Sequence, residues 1–308
     1  MKAKTTEQLI KYLKPEFDEW IHDSGIMETF KTKPEGLYNA YLDEEKTNPK
    51  WVFSASEKLS TWYLSLYENA ALNEDVSSFE DLALSARYGI AAARFCEALV
   101  PVFPRNPPIL LWPIAALYMA SPVICGWQKE ARLMTQVILK GIKSPLLNGK
   151  SMSIKGLASK KHPWFILQLL CDWQGIALHP DDDAYPDSMS PYNTPLAKWQ
   201  TPDLAEVDQM VSILADFHLA QSYEHDEASP EFDREDYWLF PYEILTMLRL
   251  REFIGLANPT EFSHPLMQQR LGQLPPVLDV PETPLLDQVV KKFVQEYPDT
   301  FKEMDFWG

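Results

Sequence analysis

The feature that most limits the fold is the stretch Phe232 to Leu256, FDREDYWLFPYEILTMLRLREFIGL. From Tyr242 to Ile254, apolar residues cover most of the circumference a helix would present. The polar residues Glu243, Thr246, Arg249 and Glu252 recur every third position, as one narrow stripe. A helix apolar nearly all round belongs inside a protein, with only that stripe free to meet water or a polar partner. Pro241 suits the first turn, because the N–H it lacks would be unpaired there anyway. Gly255 suits a helix stop.

Such an element needs other helices around it, and the apolar periodicity supplies them. Thr5 or Thr6 can cap a first helix through Trp20. Pro34 opens a short helix to Glu45. Lys50 to Leu72 is a long one, with Trp51, Leu59 and Trp62 among the residues of its apolar face. Ser77-Ser78-Phe79-Glu80 has the capping-box pattern ahead of Glu80–Val100. Lys129–Lys140, the apolar run after His162-Pro163, Asp203–Tyr223 and Leu285–Tyr297 follow. No strong strand pattern is present. The expected fold is all-α, a multi-helix bundle or an irregular helical stack. A chain of 308 residues can bury roughly 75% of the surface its unfolded form exposes, so it needs no disulfide or metal staple.

Residues 141–162 are poor in acid and rich in Lys, Gly and Ser. They form the best candidate boundary, dividing an N-terminal helical subdomain (1–150) from an acidic C-terminal one (151–308). From His179 to Pro202 a proline falls every few residues, which reads as a long loop. Asn106 to Gln128 carries no charge, yet Pro113, Pro122 and Gly126 favour two buried helical pieces over a membrane span. The N-terminal MKAKTTEQLIKYLKPEF has no apolar run of the signal-peptide kind. Cys96, Cys125 and Cys171 are widely spaced in apolar contexts. They read as small buried hydrophobes in a reducing cytosol.

Net charge is −16 and unevenly spread. Residues 1–150 hold 17 Lys and Arg against 18 Asp and Glu, whereas residues 151–308 hold 11 against 26. That field repels nucleic acid and anionic membranes and favours a basic partner. The alternative is ordinary solubility, which acidic surfaces also provide. Two segments concentrate the charge: Asp181, Asp182 and Asp183 before one helix, and Glu224, Asp226, Glu227, Glu231, Asp233, Glu235 and Asp236 between two others. They read as either a docking patch for a cationic protein or a solvated loop. Tyr185, Tyr192 and Trp199 sit in the long loop, where exposed rings would anchor an interface.

Catalytic motifs are missing: no GxSxG, Walker loop, GxGxxG or HExxH. His179 beside Asp181–Asp183, or His218 with Glu224 and His225, has no metal-site spacing, so neither metal nor cofactor is expected. Glu243 is the likeliest buried carboxylate, with Arg249, Arg251 or another Arg as its expected partner.

Several of these residues carry a family resemblance: HPWFILQLLCDWQGI, an acidic-ended helix, Tyr237-Trp238 followed by Glu243, Gly255-Leu256 and His264-Pro265. Over residues 160–270 the chain resembles the immunity proteins of bacterial polymorphic-toxin and type VI secretion systems. It is nearest to the helical family paired with PoNe-type nuclease effectors. It departs from that pattern where Pro241 intervenes between Tyr237-Trp238 and Glu243. The resemblance implies an all-α, cytoplasmic, non-enzymatic protein that binds and neutralises a cognate toxin. A helical adaptor or chaperone for a basic client is the alternative. Whether the chain is a monomer or a homodimer stays open.

Overall fold

The computed structural model describes residues 5–43, 48–73, 79–148, 154–179, 184–224, 230–302 and 305–308. It is all-α: among the described residues there is no strand, and a lone bridge joins Ser222 to Phe232. Helix α1 (Thr6–His22) opens on a capping box. The Thr5 side chain accepts from the Gln8 N–H, and the Gln8 side chain accepts from the Thr5 N–H. Asp23 then caps α2 (Ser24–Met27). A wide π-helical turn, Glu28–Thr32, joins α2 to α3 (Lys33–Leu42) without a break. Pro34 explains that turn: its ring cannot donate and would press on the carbonyl one turn back, and a wide turn just ahead of it relieves the clash.

The centre is built from α4 (Lys50–Leu72), α5 (Glu80–Leu99), α6 (Trp112–Ile124), α7 (Gln128–Ile142), α9 (His162–Gln174) and α12 (Tyr242–Phe253). Between α7 and α9 lie the short α8 (Pro145–Asn148) and a 3₁₀ turn at Ile154–Ser159. The pairing of α4 with α5 is the most extensive in the molecule, and α6 touches α5, α7, α9 and α12. Close approach depends on small residues. A Cβ on Gly89 of α5 would lie 2.5 Å from the ring of Tyr118. Around this centre pack α10 (Asn193–Lys198), α11 (Leu204–Ala220), α13 (Pro265–Gln268) and α14 (Pro284–Glu296), the last against α3. Buried residues from before and after position 150 belong to one apolar cluster.

Helix α12 is the interior element its sequence predicts, with every residue from Tyr242 to Arg251 buried. It ends in a Schellman turn. Gly255 at φ 79 gives its N–H to Glu252 O, and Leu256 gives its N–H to Arg251 O. Some expectations are corrected. Trp51 points outward at 45% exposure, because it falls on the first turn of α4 before the helix meets its neighbours. The N-cap of α5 is Phe79, with no side-chain cap, while Ser77 and Ser78 lie outside the described residues. The uncharged span folds as α6, only 13 residues long, and none of the described helices is long and apolar enough to cross a membrane.

Candidate functional site

The residues singled out as an acidic patch divide into three groups. Asp181, Asp182, Asp183, Asp226 and Glu227 lie outside the described residues. Glu231 is not a surface residue. It is 5% exposed, and its carboxylate accepts the backbone N–H groups of Lys161 and His162 at 2.8 to 3.1 Å, with His162 Nδ1 at 2.8 Å. Lys161 cannot cap α9 with its own side chain, so an anion from 70 residues away does so. Burial pushes the Glu231 pKa up, and the bonds from His162 and Lys161 pull it back below the ordinary carboxylate value. Lys160 reinforces the clamp through Pro230 O and through Asp233 at 2.9 Å.

Glu224, Asp233, Glu235 and Asp236 form the third group, and the structure brings them together. They line one wall of an open cleft of about 500 Å³. Helix α1 supplies Glu16, Phe17 and Trp20, the π-helical turn supplies Phe30, and Thr61 and Ser65 of α4 form the floor. Five carboxylates therefore face one guanidinium, that of Arg234. Asp236 is paired with Arg234 and Asp233 with Lys160, which leaves Glu16, Glu224 and Glu235 without an ion pair among the described residues. Tyr12 donates to Glu235 at 2.7 Å, and that bond, with partial burial, lifts the phenol pKa to about 12. Trp20 stacks in a tilted pair with Phe30 at 5.2 Å and with Trp62 at 5.6 Å, so its ring is held in place.

Behind the floor lie two carboxylates that the sequence reading did not single out. Glu57, Thr61, Ser65 and Glu68 follow at helical spacing along one face of α4. Glu68 is 1% exposed, and neither of its oxygens has a hydrogen-bond partner. Burial drives its pKa well above the ordinary value, Asp236 adds to the rise, and Arg234 opposes it. Glu57 is partly buried, and burial, opposed by Arg234, raises its pKa to about 8. The apolar face that the sequence suggests for α4, through Trp51, Leu59 and Trp62, does not include position 68, so no local pattern marks Glu68 as interior.

The aromatic candidates are corrected. Tyr192 is fully buried and Trp199 is 1% exposed; Tyr185 is partly buried and packs on Trp164 at 5.3 Å. Instead of standing free, much of the long loop folds into the core. The Trp199 indole donates to Asp172 at 2.7 Å, and the Tyr192 ring stacks on Phe165 at 4.5 Å. Glu243 is buried as expected, but its partner is a histidine rather than an arginine. His218 Nδ1 lies 2.8 Å from Glu243, and His218 Nε2 lies 2.9 Å from the carbonyl of Tyr237. That carbonyl can only accept, so Nε2 carries a proton, and the histidine and carboxyl share one more between them. Both ring nitrogens are thereby used, and the described residues include no cluster of three His, Cys, Asp or Glu suited to a metal. Arg249 and Arg251 serve backbone carbonyls: Arg249 those of Ile124 and Pro275, Arg251 those of Trp199, Thr201 and Ala257. The three cysteines are free and buried.

Comparison with protein-family models, with curated proteins and with solved structures returned no match.

Proposed function

We propose that this chain is a cytosolic binding protein that neutralises a basic effector, in the manner of a toxin-immunity protein. It docks on the effector through the cleft between α1, the π-helical turn, α4 and the 233–236 turn. The observation that carries this reading is the composition of that cleft: five carboxylates against one guanidinium, beside two fixed aromatic rings. Carboxylates with no cation of their own speed encounter with a positive surface, and a rigid tryptophan supplies contact area at small entropic cost. The resemblance of residues 160–270 to nuclease-immunity proteins points the same way. The scaffold role of Glu231 takes it out of the acidic surface, and among the described candidates Glu224, Asp233, Glu235 and Asp236 line the cleft.

The test is co-expression with the product of the neighbouring open reading frame, read as cell survival and affinity capture. The expected result is a stable complex that protects the cell. Joint reversal of Glu16, Glu224 and Glu235 to lysine should abolish both. Full protection by that triple variant would count decisively against the cleft as the docking surface.

A further inference from the structure

We infer that the cleft floor is a receptor for a single guanidinium group, an arginine side chain of the partner, with Glu68 as its deep anchor. This rests on the binding reading above and names the chemistry the cleft takes. The first observation is Glu68 itself. A carboxyl that is 1% exposed with neither oxygen bonded is rare, because leaving a buried charged or polar group unpaired costs stability. Such a violation persists where a ligand supplies the missing partner. The second is placement. Thr61, Ser65 and Glu68 lie at i, i+4 and i+7 of α4, and the first two form the floor of the cleft. Arg234 and Asp236, which close the other side, are near enough to Glu68 to influence its charge.

The third observation selects guanidinium over ammonium. Trp20 and Phe30 line the cleft as one packed, tilted pair, their ring centroids 5.2 Å apart. A planar guanidinium stacks on such faces and still directs its N–H groups onward, whereas an ammonium is a compact point charge that holds its water more strongly. A cleft of about 500 Å³ has ample room for one arginine side chain. The π-helical turn that Pro34 requires also places Phe30 on the cleft lining. Glu57, on the same face of α4 and without an ion pair among the described residues, is pushed toward its neutral form by burial, and a guanidinium in the cleft would favour its ionisation.

The experiment titrates the full chain with N-acetyl-arginine methylamide, followed by amide chemical shifts and calorimetry. The uncharged citrulline analogue and the lysine analogue serve as comparisons. The expected result is saturable binding of the arginine probe at least tenfold tighter than either comparison, with shifts confined to residues 57–68, 234–236 and Trp20. Glu68→Gln should weaken the arginine probe at least tenfold while the thermal midpoint stays level or rises. Equal binding of the citrulline analogue, or undiminished arginine binding by Glu68→Gln, overturns the pocket. Neither failure touches the effector reading, which stands or falls on the Glu16, Glu224 and Glu235 reversals.

Discussion

Two helices carry polar stripes into the interior, and the molecule treats them in opposite ways. On α12, each buried charge has a partner: Glu243 has His218, Arg249 has Ile124 O and Pro275 O, and Arg251 has three loop carbonyls. Only lone polar atoms there go without, among them Glu243 Oε2 and the Tyr242 hydroxyl. On α4, Glu68 is buried with no partner and Glu57 has no ion pair among the described residues. A paired stripe fixes neighbouring elements and is scaffold. An unpaired stripe beneath an open cleft lowers stability without fixing anything, as expected of a surface kept for a ligand.

The largest expected effect breaks the paired stripe. His218→Ala leaves the Glu243 carboxylate alone in the core and should cost about 3–5 kcal/mol in urea unfolding. A cost no greater than that of an exposed substitution would end the contrast between the two helices. Glu231→Gln comes next. It removes the anion from the start of α9 and the partner of His162, for about 1–3 kcal/mol. The folded-state pKa of Glu231 is depressed. Its contribution is therefore present above the unfolded carboxylate pKa and lost as pH falls through the lower folded value. Acid unfolding of the wild type should include this loss, and Glu231→Gln should show a shallower acid limb.

The unpaired stripe carries the opposite sign. A carboxyl whose folded pKa lies above its unfolded value stabilises at low pH, and that stability is lost as pH rises through the folded value. Glu57 places the window between the ordinary carboxyl value of 4.5 and about 8. Chain stability should decline over that window. Glu57→Gln and Glu68→Gln should each flatten the decline and raise stability above it by at least about 1 kcal/mol, measured by urea unfolding across the pH series. If Glu68→Gln is destabilising by more than that amount, the carboxylate is structural after all.

How far the sequence foretold this varies by element. The bounds of α4 and the interior character of α12 follow from periodicity, because a helix and its buried face repeat locally. The partner of Glu243 was not legible, since His218 lies 25 residues away on α11 and only the packing of α11 against α12 joins them. Net charge also misled at Glu231. Composition registers a negative residue equally whether it faces solvent or caps a helix 70 residues distant. The loop aromatics failed for a related reason: proline spacing removes regular structure without removing a segment from the core, and Tyr192 and Trp199 are interior. The cleft combines α1, the π-helical turn, α4 and the 233–236 turn, a conjunction no local pattern encodes.

The smallest effect on stability gives the sharpest test of the cleft against bulk charge. Glu16 and Glu224 are exposed, so reversing either to lysine should change stability by no more than about 0.5 kcal/mol. Asp279 and Glu282 are also exposed but lie outside the cleft, and their reversal changes net charge by the same amount. If general acidity draws in the partner, both sets should slow association equally, and added salt should erase both effects. If the partner seats in the cleft, the Glu16 and Glu224 variants should also dissociate faster, because a lysine there repels a cation already docked. Association and dissociation rates measured at two salt concentrations separate the cases. Equal dissociation rates in the two sets would assign the acidic character to solubility.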